Sequence, residues 1–388
     1  MEIIIFYILT FIALAVGTAA IYMSFIERVP ASWQYYHYFI RKPVNWTIFT
    51  TVIIWTFYIY QEQGAFPIWA IIPILLTGLA VVLAYKMHQE TVFKAVDFPE
   101  IATINSKLPL TDEMQLAVIE YDGVTKCYPL DYVIHHHIVN DKFNSKTVAL
   151  TYCAMCRSII PFDVTDIGLL FVSSFKNANM VVADRKTKTF FQQASFKSII
   201  GKLHPSELSM IPFQILSWSD VKKSIPNPQV IKVTKEDFKE FQLPIPGVWN
   251  KIIASESTPG LSAKNRDKTF PSRTHVIGII DPFINEQVVY LKKEVLSKKI
   301  VLNTESKFLL IAIDRAVNGF RTTLNNNDLN IDFKDNRLID KTTGTEWDIR
   351  GKYITGEINE NLVSISLSDE YWFSWKKYHA DSILIRLK

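Results

Sequence analysis

The stretch Thr151-Tyr152-Cys153-Ala154-Met155-Cys156-Arg157-Ser158 holds two of the chain's three cysteines, in CxxC spacing. Three consecutive histidines, His135, His136 and His137, lie just upstream. Thiols with two residues between them at the end of a strand project from one turn, so both can reach one soft metal ion. The same spacing lowers a thiol pKa and permits disulfide exchange. A third reading is that the two are small buried apolar residues. A zinc ribbon would carry a second cysteine pair, and the sequence has none. His136 is the imidazole expected to join Cys153 and Cys156, and Asp141 is a further oxygen donor. If residues 130–139 are helical, consecutive histidines point in different directions. His135 and His137 are therefore assigned to packing or the surface. The expected site is metal-binding: Cys153, Cys156 and His136 holding copper or zinc. The alternatives are a membrane-bound thiol oxidoreductase that uses the CxxC pair, and a scaffold whose cysteines are structural. No Gly-rich phosphate loop, nucleophile elbow or HExxH segment is present.

The strand and turn that carry these residues belong to a region that begins near Asp97. It is rich in short Val, Ile, Tyr and Phe runs bounded by Asp-Gly, Asn-Ser and Pro clusters, and it is expected to be mostly β. The run from Leu116 to Leu130 recurs in outline from Val276 to Leu291, and Tyr128 matches Tyr290. Asp184 to Phe191 matches Asp340 to Trp347, and Ile215 to Trp218 matches Trp372 to Trp375. Anchors in the same order imply an internal repeat. Cys153 falls opposite Arg315 and His136 opposite Lys298, so the second copy lacks the thiols and imidazoles. The connector between the copies is placed between Pro244 and Pro271, with 255–268 exposed.

Ahead of this region lie three apolar stretches without charge: Ile3 to Met23, Val44 to Tyr60 and Ile68 to Tyr85. Each is long enough, or nearly so, to cross a hydrocarbon core of about 30 Å. Three transmembrane helices are expected, with membrane lipid as a partner. The first has no basic residues ahead of it and is expected to be retained rather than cleaved. Arg28, Arg41 and Lys42 flank the loop after it, the loop at 61–67 has no basic residue, and Lys86 and Lys94 follow the third. Basic loops stay cytoplasmic, which puts the C-terminal part on the cytoplasmic side of a multi-pass protein. A net charge of +4 gives no nucleic-acid footprint. A protein or redox partner is expected, of a kind that composition does not identify. The units are 1–96, a membrane anchor; 97–254, a first repeat with the site; and 255–388, a second repeat without it.

The motifs Tyr128-Pro129-Leu130, His136-x-Ile138-Val139-Asn140-Asp141, Thr151-Tyr152-Cys153-x-x-Cys156-x-Ser158 and Phe162 occur in this order. Asn179-Met180-Val181, Asp184, Thr187, Gln193, Gly201, Trp218 and the run Phe270 to Gly278 follow. From about Ile101 onward the chain resembles domain-of-unknown-function family 3179. The resemblance implies the fold context of this region and assigns no activity. That family usually has Pro-Leu between the cysteines, Gly after the second, and a His-Glu pair. Here those positions read Ala154-Met155, Arg157 and His136-His137. Cys127 stands where the family usually has a small residue, and it is expected to lie away from the site.

Overall fold

The computed structural model describes residues 2–102, 107–241, 251, 254–281, 283–284, 286–325 and 327–387. Pro244 of the expected connector, and Pro282 and Asn285 of the second repeat motif, lie outside the described residues.

The N-terminal part is three helices: α1 (Glu2–Phe25), α2 (Ala31–Gln63) and α3 (Ile71–Lys86). α1 and α3 approach closely because Gly17 has no side chain; a Cβ there would sit 2.7 Å from the Ala80 carbonyl oxygen. Two segments are long and apolar enough to cross a membrane, Glu2–Phe25 and Ile68–Lys86. The third expected span, 44–60, does not stand as a separate apolar helix. It is the second half of α2, a continuous 33-residue helix. The physical reason is polar content. Gln34, His37, Arg41 and Asn45 recur at helical spacing and are buried. Gln34 Nε2 donates to the Met23 and Phe175 carbonyls, and Arg41 Nε to the Ala84 carbonyl. Thr47, Thr50, Thr51 and Thr56 add polarity further along. Large apolar side chains remain exposed on all three helices, among them Phe11, Ile54, Phe57 and Leu75.

The rest is mostly β. One four-stranded sheet has the order Gln214–Ser217, Gln115–Tyr121, Val124–Pro129, Gln229–Val230. The helix Leu130–His136 leads from it into a meander of Ile138–Phe143, Lys146–Cys153 and Ser158–Asp163. A third sheet follows: Leu170–Lys176, Asn179–Asp184, Phe190–Gln192 and Ser198–Ile200. In the C-terminal half, one sheet has the order Leu367–Tyr371, His275–Ile279, Val288–Leu291, Ile383–Ile385. The helix Lys292–Lys298 leads to the meander Ile300–Asn303, Phe308–Ile313, Ala316–Arg321. A sheet that includes Ile331–Lys334, Arg337–Asp340 and Glu346–Trp347 completes the set.

The helical bundle docks on the strand Leu170–Lys176. Lys176 Nζ donates to the carbonyls of Glu27 and Val29, at 2.6 and 2.5 Å. Tyr35 and Tyr38 lie against Phe190 and Phe171. The expected exposed connector is only partly exposed. Thr258, Gly260 and Leu261 are buried, and Leu261 packs in the core cluster that contains both thiols of the CxxC pair. Glu27 holds this segment by accepting from Ser262 N–H and Asn265 Nδ2.

Candidate functional site

Cys153 ends the strand Lys146–Cys153 and pairs with Ser158, the first residue of the next strand. The hairpin is closed by Ala154 to Arg157. Arg157 adopts a φ of 59°, a left-handed conformation that a side chain tolerates poorly. The turn thus keeps the backbone form that glycine favours although arginine occupies the position. Its geometry rolls Cys156 inward beneath the strand ends. Both thiols are free and fully buried, and Cys156 Sγ lies 3.9 Å from the Cys153 carbonyl oxygen.

A polar chain supports them. Cys156 Sγ lies 3.1 Å from Ser158 Oγ. Ser158 Oγ donates to Gln193 Oε1 at 2.9 Å, and Gln193 Nε2 donates to Thr151 Oγ1 at 3.0 Å. Ser158, Gln193 and Thr151 are buried, so their polar atoms need these partners. On the other side the C-terminal half closes the site. Tyr371 N–H donates to the Cys156 carbonyl at 2.9 Å. Its neighbour Glu370 is fully buried, and Ser368 Oγ donates to Glu370 Oε1 at 2.7 Å. Glu370 Oε2 has no well-formed hydrogen bond, although the Ser374 hydroxyl is close by. Asn179 Nδ2 donates to Ser374 Oγ at 2.7 Å, which leaves the Ser374 proton to share with the carboxyl.

The thiols differ electrostatically. Burial raises the Cys153 thiol, but hydrogen bonds from the Cys156 thiol and from nearby backbone N–H groups outweigh it, and the net shift is downward. Burial drives the Cys156 thiol well up, helped by the hydrogen bond it gives to Cys153 and by the charges of Cys153 and Glu370. Burial also raises the Glu370 carboxyl to about 7. Of the two thiols, Cys153 is therefore the easier to ionise, and a carboxyl that titrates near neutrality lies beside Cys156.

The two thiols are brought together; His136 is not with them. Its ring lies against Tyr132, at 4.5 Å between centroids, and near His135 and Phe241. Burial lowers it to about 4. Its helix ends there, and the left-handed residue His137 turns the chain before the strand that pairs with Lys146–Cys153. His137 lies nearer the thiol strand, with its ring against Phe93 and 6.3 Å from the Tyr152 ring. Among the described residues, no group of three His, Cys, Asp or Glu side chains is placed to hold a metal ion. Asp141 is engaged elsewhere: it accepts from Lys126 Nζ and Tyr128 Oη, each at 2.8 Å. Cys127 lies in a different apolar cluster, with Val118 and Leu216, and burial raises its thiol to about 12. Asp184 ties its own turn, accepting from Thr187 and Thr189.

Sequence reasoning missed Glu370 and Ser374. It described residues 255–388 as a repeat that lacks the thiols and imidazoles, without placing an acid from it beside Cys156. From the same segment, His275 meets Arg157 Nη1 at 2.9 Å, and Arg273 Nη1 reaches the Met155 carbonyl at 3.4 Å. A readable signal existed. Both outer strands lead into a helix that begins with tryptophan, Trp218 or Trp372, so Trp218 corresponds in position to Trp372 and not to Trp375 as the sequence match had it. Two residues before that tryptophan stands Leu216 in one half and Glu370 in the other. An acid at a core position marks a special environment.

No curated protein and no solved structure matches the chain. The model of the family described as a protein of unknown function (DUF3179) matches residues 93–382. That range covers most of the chain, including the CxxC turn and Glu370, and the protein belongs to this family.

Proposed function

We propose that this protein is a membrane-attached dithiol protein whose Cys153–Cys156 pair exchanges electrons by thiol–disulfide chemistry. The observation that carries the reading is the pairing of two free, fully buried thiols on one turn, with Cys156 Sγ 3.9 Å from the Cys153 carbonyl oxygen. In the forward direction the Cys153 thiolate attacks one sulfur of a partner disulfide and expels the other as a thiolate. Cys156 then loses its proton to the Glu370 carboxylate and attacks the Cys153 sulfur. This forms the Cys153–Cys156 disulfide and releases the second partner thiolate. Two electrons pass to the partner. Both sulfurs are buried, so exchange with a macromolecular disulfide requires the 154–157 turn to lift.

The test is a redox titration of the full chain in glutathione buffers, with free thiols counted by alkylation and mass spectrometry. Cys153 and Cys156 should become protected together while Cys127 stays reduced. Two thiols that remain free at every ratio would end the redox reading. A second reading is a two-coordinate copper(I) site on the same thiolates, which needs no third ligand and suits soft sulfur donors. It predicts one copper(I) per chain, lost in Cys153→Ser, with weak zinc binding.

The membrane reading rests on the exposed apolar side chains of α1 to α3, a contiguous surface of this kind being unusual in a soluble monomer. α1 and α3 both run toward the β region, so α2 must carry the chain back between them. This supports a multi-pass anchor in which residues 44–60 cross beside two more apolar spans. The flanking lysines and arginines favour a cytoplasmic C-terminal part. We also read the two β halves as copies of one unit. In each, the four-stranded sheet follows one strand order, a seven-residue helix leads into the meander, and a left-handed residue, His137 or Lys299, ends that helix. In this reading Cys153 stands level with Ile313 rather than Arg315, because the second meander is two residues shorter, and the turn 154–157 replaces the two-residue turn Asp314-Arg315.

A further inference from the structure

A cleft lies where α2 and α3 meet the β region. It is lined on the helical side by Lys42, Trp46, Tyr85 and Lys86, and on the other by Lys94 and Arg185. Its two acids are already engaged. Glu90 accepts from Tyr38 Oη at 3.1 Å and lies 3.7 Å from Arg41 Nη2. Asp97 pairs with Arg185 at 3.1 Å and accepts from Asn140 Nδ2. Lys42, Lys86 and Lys94 have no carboxylate partner among the described residues. Lys42 Nζ rests 4.5 Å above the Tyr85 ring, and Trp46 Nε1 donates to Tyr85 Oη at 3.3 Å. The cleft therefore combines three unpaired ammonium groups with an aromatic wall. Its depth along the molecule is set by Lys86, the last residue of an apolar segment long enough to span a bilayer. Tryptophan, tyrosine and lysine at the end of such a segment lie at headgroup level.

We propose that this cleft is a binding site for the phosphate headgroup of an anionic phospholipid. Its acyl chains would run down the groove beside Val82, and its phosphate would be held by Lys42, Lys86 and Lys94. The chemistry is charge pairing at an interface, worth about fivefold in affinity per lysine close to the surface. The occupant is a lipid rather than a free anion because the cleft continues onto the apolar face of α3, where Val82 and Leu79 are exposed. Such a site would seat the β region against the anionic leaflet, with the dithiol turn at a fixed height above it.

This inference rests on the membrane reading, so the experiment separates the two. The full chain is first tested for retention in membranes after carbonate washing; release would overturn the membrane reading and this proposal together. The chain is then purified in a neutral detergent. Intrinsic tryptophan fluorescence, compared with that of a Trp46→Phe variant, and thermal stability are followed during titration with dioctanoyl phosphatidylglycerol, dioctanoyl phosphatidylcholine or inorganic phosphate. Saturable binding of phosphatidylglycerol alone is expected. The triple variant Lys42→Gln/Lys86→Gln/Lys94→Gln should weaken it by about a hundredfold. The exposed Lys142→Gln should leave it unchanged, and the single Lys94→Gln, outside the helices, covers the case in which the triple variant fails to fold. Equal response to both lipids, or an unchanged response in a folded triple or single variant, would overturn the proposal. So would phosphate that competes as well as the lipid, which would make the cleft a free-anion site.

Discussion

Replacing Glu370 with glutamine preserves the shape of the side chain and an acceptor for Ser368, but removes the titration. The native carboxyl is fully buried, and burial raises it from 4.5 to about 7. An acid whose folded pKa lies above its unfolded value binds its proton more tightly in the folded state. Stability therefore falls as pH rises from about 4.5 to about 7, and the full penalty is present above 7. At about 1.4 kcal/mol per pH unit, ionised Glu370 costs the fold about 3 kcal/mol at pH 8. Ser368 and Ser374 already reduce this cost by hydrogen bonding. Glu370→Gln should thus be more stable than the parent at pH 8, by up to about 3 kcal/mol, and equal to it near pH 4.5. The assay is thermal unfolding of both full chains in one detergent across this range, followed by tryptophan fluorescence. The difference between the two curves isolates the single group. A difference that stays constant with pH would refute the reasoning, because the carboxyl would then titrate alike in the folded and unfolded chains.

The same variant removes a negative charge beside Cys156, so the Cys156 thiol should titrate at lower pH, as read by thiolate absorbance in a Cys127→Ala background. Cys156→Ala removes the thiol donor to Cys153, so Cys153 should titrate at higher pH; an unchanged midpoint would remove the hydrogen bond from the account. Gly278→Ala should cost about 3 kcal/mol or prevent folding, since a Cβ there would lie 1.9 Å from the Trp375 ring; wild-type thermal stability would contradict this packing. His136→Ala should leave the Cys153–Cys156 redox midpoint unaltered, and a shifted midpoint would return the imidazole to the site. A reporter active only outside the cytoplasmic membrane, fused after Lys388 (beyond the described residues), should be silent, and strong activity would reverse the orientation.

Short-range pattern was legible in the sequence. Alternation and turn residues marked the strands at 116–121, 147–152, 276–280 and 308–313, and all four are strands here. The CxxC spacing alone dictated that both sulfurs share one turn. Total apolarity marked the segments at 3–23 and 68–85. At 44–60 the charge-free composition marked an apolar stretch but not its continuity with the polar-striped first half of one 33-residue helix. His136 misled for a different reason. Its nearness to the thiols in sequence says nothing about direction across a helix end. The left-handed residue His137 turns the chain there, and His136 is left against Tyr132.

What the sequence by itself determined was whatever depends on neighbours along the chain: element type, the paired thiols and the apolar segments. Only the tertiary structure decided which groups surround the thiols. Glu370, Ser374 and His275 stand more than a hundred residues from Cys156; Glu370 and His275 lie on paired strands, Ser374 on the helix that follows, and the Tyr371 N–H bond to the Cys156 carbonyl holds this seam against the thiol turn. A carboxyl becomes a group titrating near 7 only after desolvation, and desolvation is a property of the packed seam, not of any local stretch of residues.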